Sequence, residues 1–554
     1  MADRTVGDVL LELITEPNGA LFGVPGGQTL PLYGATINSS TRHLVMRDER
    51  NAANAADGYA RVSGKVGICD ATVGPGATNL ISGLAEAQAS SIPVMAIVAD
   101  TRRDSEHLRV HSVASQSFSQ SETLSPVVKW VGRVLEPGVI PEVVGHALRV
   151  ATSGRPGPVV VSIPEDIFLS RASSEDITPL SSEDRQFPRY RPHPPPDQVE
   201  EVSRIIRTAS RPLILAGGGL VLSGAAQALA ELVECTNLPV VTSLNGKGSV
   251  DELSRFSGGV VGGFGSLRGN HSLHIADVVL VIGSKNSQLG SHSWRLPSRE
   301  QMVIHVDIDG AEIGRAIPID LGILADAKSF LYSLKCALKD WSGPDTPWIE
   351  PEPLSQYEQP EGQPINPALV AEVLDDLLGP SDLLVCDASL SSGWAARHFR
   401  VKSAGPNFIA PRGIGGLGWS TGAAIGARVA RGDGRVAVLT GDGGLAYGLG
   451  EMETSSRYNL DITTVVLNNS SYGWIRHVEE RFCIPRSSDF TEIDFSVAAQ
   501  SMGLSGRRVK DPKELRPAIQ DALEMPGPAL VEIISCPDAS PVISYTNAKN
   551  GAYS

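Results

Sequence analysis

Short apolar runs alternate with stretches of helical period along most of the chain. The clearest runs are VGICDATV (66–73), PVMAIVA (93–99), PVVVSI (158–163), PLILAG (212–217), PVVTS (239–243), DVVLVIG (277–283), MVIHVDI (302–308), DLLVCD (382–387), RVAVLTG (435–441), ITTVVLN (462–468) and ALVEII (529–534). They are apolar throughout rather than alternating, the pattern of parallel strands covered on both faces. Two stretches break the rhythm. Residues 171–198 and 343–366 are rich in Pro, Ser and acidic side chains, a composition that predicts extended, semi-rigid chain. They divide the sequence into units of 1–170, 190–340 and 365–554, each long enough for its own sheet with crossover helices. The pattern therefore predicts an α/β fold of three doubly wound parallel-sheet domains.

Composition narrows the function classes. The 554 residues are 42% hydrophobic and 20% charged, which excludes a disordered or fibrous chain. A net charge of −15 leaves no basic footprint for a nucleic acid, so any anionic ligand needs local positive groups. The cysteines are scattered without a C-x-x-C, so no zinc knuckle or dithiol site is signalled. Cys69 in VGIC and Cys386 in LLVC read as buried, reduced thiols. No apolar run approaches the ~20 residues of a membrane helix. The chain reads as a soluble, cytoplasmic protein whose partners are small molecules, with no nucleic acid and no membrane.

The strongest chemical constellation lies near the carboxyl end. The run RVAVLTG leads into GDGGLAYG (441–448), and ITTVVLN ends in NNSSYGW (468–474). Asp442 and Asn469 then sit at the carboxyl ends of two strands joined by a helix, the edge of a parallel sheet where ligands bind. An Asp carboxylate, an Asn amide oxygen and a main-chain carbonyl near Ser471 make a hard-oxygen set suited to Mg²⁺ completed by a diphosphate and water. Gly443 and Gly444 let backbone N–H groups approach phosphate. G-D-G alone is an ordinary turn; the strand–helix–strand context makes the pairing specific. Two competing motifs are weaker. GIGGLG (413–418) fits a dinucleotide fingerprint and GWSTG (418–422) a serine-hydrolase elbow, with Asp442 and His477 following in hydrolase order. No HGGG-type oxyanion partner precedes the elbow, and Asp442 belongs to the better-supported metal pattern.

With these motifs stand FGVPGGQTLPLY (22–33), MRDERNAANAADGYARVSGK (46–65), TVGPGATN (72–79), ATSGRPGPVVVSIPED (151–166), HVDIDGAEIG (305–314) and GGLGWSTGAAIGA (415–427). Together they resemble, over nearly the whole chain, the thiamine-diphosphate-dependent enzymes of the acetohydroxyacid (acetolactate) synthase-like branch. The resemblance implies a pyrimidine-binding domain (1–170), a central Rossmann-like domain (190–340) and a diphosphate- and Mg²⁺-binding domain (365–554). It implies that Glu49 hydrogen-bonds the cofactor's pyrimidine ring and activates it, and that Thr72, Pro75 and Asn79 surround that ring. It places Gly27, Gln28 and Gln116 beside the reacting carbonyl, with Gln28 where the synthases commonly carry Ala. It gives Gly415 and Leu417 to the loop that props the cofactor. Asp442, Asn469 and Ser471 hold the metal, Gly443 and Gly444 the diphosphate, and Tyr472, Gly473, Trp474 and Ile475 line the thiazolium side. The site is expected at the interface of a homodimer or homotetramer.

The chain also departs from that branch. Ser389, Leu390 and Ser391 stand where the diphosphate domain usually has Gly-Gln-His. Val478 stands where the synthases carry a Trp, which opens room for the acceptor. KNSQL (285–289) and Ser125 replace arginine-bearing positions that contact flavin, so FAD is expected to be weakly held or absent. The implied function is a carboligase that decarboxylates a 2-oxo acid, pyruvate, and transfers the acyl carbanion equivalent to a second carbonyl. The alternatives are a decarboxylase releasing an aldehyde, which lacks the expected paired histidines, and a non-catalytic binding protein, which would have lost Glu49 or the metal pair.

Overall fold

A computed structural model describes residues 4–37, 39–172, 180–343, 348–349, 359, 362–545 and 547. Eighteen strands form three six-stranded sheets, and every pairing within them is parallel. The first holds β1 (Ala20–Gly23), β2 (Arg42–Val45), β3 (Gly67–Ala71), β4 (Val94–Asp100), β5 (Trp130–Arg133) and β6 (Val159–Pro164). The second holds β7 (Pro212–Ala216), β8 (Val240–Thr242), β9 (Ser257–Val260), β10 (Val278–Ile282), β11 (Met302–Asp307) and β12 (Leu321–Leu324). The third holds β13 (Leu383–Cys386), β14 (Phe408–Ile409), β15 (Val436–Gly441), β16 (Ile462–Asn468), β17 (Ser505–Val509) and β18 (Ala529–Ile534).

The spatial orders are β2-β1-β3-β4-β6-β5, β12-β11-β10-β7-β8-β9 and β14-β13-β15-β16-β18-β17. The first and third sheets share one topology. The second has the order of a dinucleotide-binding sheet. Each strand run anticipated from apolar pattern is a strand. Successive residues feed opposite faces: Phe22, Cys69, Ala96 and Val98 enter one core, while Leu21, Ile68, Met95 and Ile97 enter another. That two-sided burial is why the runs carry no polar alternation.

The first and third sheets are joined by a shared core. Leu383, Val385, Val436 and Val438 of the third lie in the same cluster as Phe22 and Leu44 of the first. Between them the helices Glu49–Ser63 and Trp419–Ala430 touch backbone to backbone. A Cβ on Gly58 would lie 2.1 Å from the Ala423 carbonyl oxygen, and one on Gly422 2.6 Å from that of Asn51. The small residues of NAANAADG and GAAIGA are there because no larger side chain fits this crossing.

One expectation changes. Residues 171–198 are predicted as extended, semi-rigid chain; residues 185–189 are bound to the first unit, Arg191 to Asp326 of the middle unit at 3.0 Å, and the helix Pro196–Thr208 begins within the stretch. Val66 donates to the Arg185 carbonyl, Arg185 reaches the Leu13 carbonyl at 2.9 Å, and Phe187 is buried in the shared core. Burial of Phe187 and Arg185 outweighs the solvated composition around them. In the second stretch, Ile349 packs against the middle sheet; residues 344–347, 350–358 and 360–361 lie outside the described residues. Cys69 and Cys386 are buried free thiols. No helix among the described residues is long and apolar enough to cross a membrane.

Candidate active site

All strands run in one direction within a sheet, so every loop after a strand emerges on one edge. In the first sheet the chain order reverses between β1 and β3, in the third between β13 and β15. Neighbouring connections depart to opposite sides there and leave a crevice. The sequence-predicted residues follow those strand ends: Gly27 and Gln28 after β1, Glu49 after β2, Thr72–Asn79 after β3, Ser389–Ser391 after β13, Asp442–Gly444 after β15 and Asn469–Ile475 after β16.

In the first crevice, Glu49 opens the helix Glu49–Ser63 and is 8% exposed. The Asn79 amide donates to Glu49 Oε2 at 2.9 Å, and a Cβ on Gly76 would come within 3.2 Å of Glu49 Oε1. Glycine at 76 thus lets the turn close onto the carboxylate. The Thr72 hydroxyl donates to Gln28 Oε1 at 2.7 Å. This contact turns the Gln28 amide so that its N–H₂ group is left to donate elsewhere. Gly74 has φ +77°, and a Cβ there would meet the Gln116 carbonyl oxygen at 2.5 Å. The structure therefore brings Gln116 onto the turn that carries Pro75. Pro75, Asn79, Gln116 and Gly27 are exposed in the single chain.

The second crevice is a cavity of about 1000 Å³. Its wall includes Ser389, Leu390, Ser391, Gly415, Leu417, Asp442, Gly443, Gly444, Asn469, Ser471, Tyr472, Gly473, Trp474 and Ile475, every third-unit residue assigned from sequence to the cofactor or metal. Asp442 Oδ2 accepts from the backbone N–H of Asn469 at 3.1 Å and Ser470 at 2.6 Å, and Oδ1 from Gly443 at 2.8 Å. Burial pushes its carboxyl up to about 6 against the pull of those amides; a cation alongside would favour the charged form. The Asn469 amide oxygen accepts from Ser471 N at 3.2 Å. Among the described residues no three His, Cys, Asp or Glu side chains converge, so the cradle is one carboxylate with neutral oxygens. That donor chemistry fits a hard cation sharing a diphosphate. A Cβ on Gly443 would strike the Tyr472 ring at 2.8 Å and one on Gly444 the Asp387 carboxylate at 2.3 Å.

Ser389 has φ 72° and ψ −144°, a region that is almost exclusively glycine's. The serine keeps the backbone shape of the glycine it replaces. Such strain costs of order 1–3 kcal/mol. Ser389→Gly should therefore raise Tm, by a few degrees for a gain of about 1 kcal/mol; an unchanged or lowered Tm in calorimetry would show that the backbone is relaxed there.

Sequence reasoning missed two carboxylates that hold this site. Glu86, buried in the helix Pro75–Ser90, accepts from Gly413 N at 2.7 Å, Ile414 N at 2.8 Å and Gly415 N at 3.0 Å. Charge-assisted bonds of this kind contribute about 1.5–3 kcal/mol each. Asp387 accepts from Gly418 N at 3.0 Å and the Thr440 hydroxyl at 3.0 Å, and burial raises its pKa. Together they clamp both ends of the 413–418 loop that presents Leu417. The available signal was a lone acid within the small-residue run GLAEAQAS. Val478, expected to shape the acceptor space, is not in the cavity wall. Trp474 and Arg481, one turn before it and one turn after it on the same helical face, are. The short valine is recessed between them.

The wall of this cavity contains no residue before Gly263. Glu49 and its neighbours therefore do not line this cavity within one chain.

Three family models match. The N-terminal thiamine pyrophosphate (thiamine diphosphate) binding domain matches residues 4–123, the central domain of those enzymes residues 199–334, and their C-terminal binding domain residues 387–533. A probable acetolactate synthase large subunit of Methanococcus aeolicus is 32% identical, covering 94% of this chain and 90% of the relative. The acetolactate synthase isozyme 2 large subunit of Escherichia coli is 30% identical over 93% of this chain and 92% of its own length. The large subunit from Lactococcus lactis is 30% identical over 93% and 89%.

Proposed function

The chain belongs to the thiamine diphosphate enzymes of the acetolactate synthase type, and from that premise we propose that it is a carboligase that uses pyruvate as donor. The balanced reaction is pyruvate plus a second carbonyl compound plus one proton, giving CO₂ and an acyl carbinol. One bond to carboxylate carbon breaks, one C–C bond forms, and the proton ends on the acceptor's oxygen. The observation that carries this reading is the pair of crevices, one with a buried, amide-supported glutamate and one with a hard-oxygen cradle. The cavity volume suits a diphosphate cofactor, since small-molecule pockets span about 300–1,000 Å³.

Bound thiamine diphosphate supplies a carbon nucleophile that can take up a 2-oxo acid and release CO₂. The residues of the chain do the rest. Asp442, Asn469 and the Ser471 carbonyl would hold Mg²⁺, with Gly443, Gly444 and Ser389–Ser391 around the diphosphate. Glu49, fixed by Asn79, would accept a hydrogen bond from the pyrimidine ring, with Thr72 and Pro75 beside it. Leu417 and Gly415 would prop the bent cofactor, while Tyr472, Gly473, Trp474 and Ile475 exclude water from its reacting face. Gln28, its oxygen held by Thr72, would donate its N–H₂ to the substrate, with Gln116 and Gly27 closing that side. The reading assigns cofactor pyrimidine binding to residues 1–170, diphosphate and metal to 365–554, and a structural role to 190–340.

Because the residues around Glu49 do not line the cavity, the reading pairs two chains so that Glu49 of each meets the cradle of the other. Leu30, Val110 and Val113 near the first crevice and Ile475, Phe482 and Ile484 near the second are exposed apolar groups available for such contact. A two-fold arrangement yields two complete sites.

The chain is further expected to hold flavin weakly or not at all. The crevice between β7 and β10 encloses about 140 Å³, below the usual ligand range, and Lys285 in it is tied to the Ala89 carbonyl at 2.7 Å. The purified protein should show no flavin absorbance in the visible; one flavin per chain would overturn this.

The decisive assay is turnover of pyruvate labelled at its keto carbon, with thiamine diphosphate and Mg²⁺ added. NMR should show the label in a new C–C bond. Free acetaldehyde as sole product would favour the decarboxylase, and absence of CO₂ with every acceptor would remove pyruvate as donor.

A further inference from the structure

The cavity wall carries an unusual charge for a chain of net −15. Three guanidinium groups, those of Arg295, Arg412 and Arg481, face a single carboxylate, Asp442, whose oxygens are taken up by backbone amides. Many arginines outside the cavity are ion-paired, as in Arg400–Asp375 at 2.5 Å and Arg435–Asp382 at 2.7 Å, or bonded to carbonyl oxygens, as Arg428 is to Gly434 at 2.8 Å. The cavity arginines have no carboxylate partner among the described residues. Each rests only on a ring face: Arg412 on Phe264 at 5.1 Å, Arg295 on Tyr545 at 5.0 Å and Arg481 on Phe482 at 5.7 Å.

Arg412 is the deepest of the three. Burial lowers its pKa, and Glu86, whose charge opposes that shift, is spent on the amides of Gly413, Ile414 and Gly415. The Arg412 side chain is half-buried in the wall, and its guanidinium has no hydrogen bond or ion pair among the described residues, so its donors are free for an oxyanion. Its ring partner Phe264 meets Trp474 edge-on, centroids 5.7 Å apart. Arg412, Phe264 and Trp474 therefore stand in series along the wall, with Trp474 assigned to the reacting face. Arg295 approaches the same cavity from the middle unit, and the recessed Val478 leaves the space open toward Arg481.

We propose that the second carbonyl substrate carries a terminal oxyanion, a carboxylate or phosphate remote from the reacting carbon, and that Arg412 and Arg295 receive it. The inference rests on the carboligase reading and names its acceptor class. Guanidinium forks suit such groups bidentately, and a site built for an anion rejects the neutral analogue because its own donors are then left unpaired.

The test compares acceptors of equal length with and without the anion: succinic semialdehyde against butanal, and glyceraldehyde 3-phosphate against glyceraldehyde. At least one charged member should exceed its neutral counterpart by about tenfold or more in kcat/KM, and the member that does so distinguishes carboxylate from phosphate. Arg412→Gln and Arg295→Gln should collapse that ratio. Binding is read separately, without turnover, by quenching of tryptophan fluorescence with succinate and glycerol 3-phosphate. The better probe should lose about tenfold in affinity in Arg412→Gln. Equal use of charged and neutral acceptors, or probe affinities unmoved by the substitution, overturns the proposal while leaving the carboligase intact. Loss of thiamine diphosphate affinity with an unchanged acceptor ratio assigns Arg412 to the diphosphate and equally overturns it. CO₂ release without any adduct removes the carboligase reading, and the probe titration then still decides whether the cavity is an oxyanion site.

Discussion

Glu49→Gln should lower the rate of CO₂ release from pyruvate by roughly 10²–10⁴-fold, the range contributed by a positioned proton-handling group, while thiamine diphosphate still binds. The substitution is nearly isosteric. The glutamine carbonyl oxygen can still accept from Asn79 as Glu49 Oε2 does, so the fold and the helix Glu49–Ser63 should persist. What disappears is the negative charge that a ring nitrogen would meet. Cofactor titration by tryptophan fluorescence, with labelled CO₂ release measured on the same samples, checks both halves. A fully active variant would remove Glu49 from the mechanism. Lost cofactor binding would move its role from activation to affinity.

A second large effect is expected when two inactive variants share one particle. Asp442→Asn removes the only carboxylate of the cradle and sets an amide among the N–H groups of Gly443, Asn469 and Ser470, which now donate to it. Alone it should lose metal-dependent cofactor binding. Co-expressed with Glu49→Gln under two tags and purified as the heterodimer, it should regain activity. One of the two sites is then wholly native and the other doubly altered, so about half of the native rate per dimer is expected from two-fold pairing. An inactive heterodimer would place both half-sites in one chain, contrary to the pairing of two chains.

The strands legible from sequence and those that escaped divide along physical lines. The strands not anticipated are β1, β2, β5, β9, β12, β14 and β17. All but β1 are edge strands of their sheets. An edge strand is paired on one side and partly open to water, so it lacks the continuous apolar run. In β17 exposed and half-buried positions precede the single buried Val509, and β14 is only Phe408–Ile409. β1 is buried throughout but spans just Ala20–Gly23, too short for period to register. The site residues that sequence singled out lie in loops with distinctive turn chemistry. Those it missed act across the chain: Glu86 holds a loop more than three hundred positions away, and Arg412 matters because of a ring at Phe264 and because the nearby Glu86 carboxylate is engaged by backbone amides. Neither relation leaves a local mark.

The sequence by itself determined that this is a three-sheet parallel α/β protein with a metal-and-diphosphate turn at Asp442 and a glutamate-led helix near the amino end. Those properties reside in local polarity and local turn geometry, which neighbouring residues settle. Tertiary structure alone decided the strand order. It set the crevices at β1/β3 and β13/β15, turned the Gln28 amide, seated glycine-like backbone under Ser389 and left three arginines lining one cavity with no ion pair among the described residues. These depend on contacts between segments distant in sequence, where packing and desolvation choose the outcome and no periodicity records it.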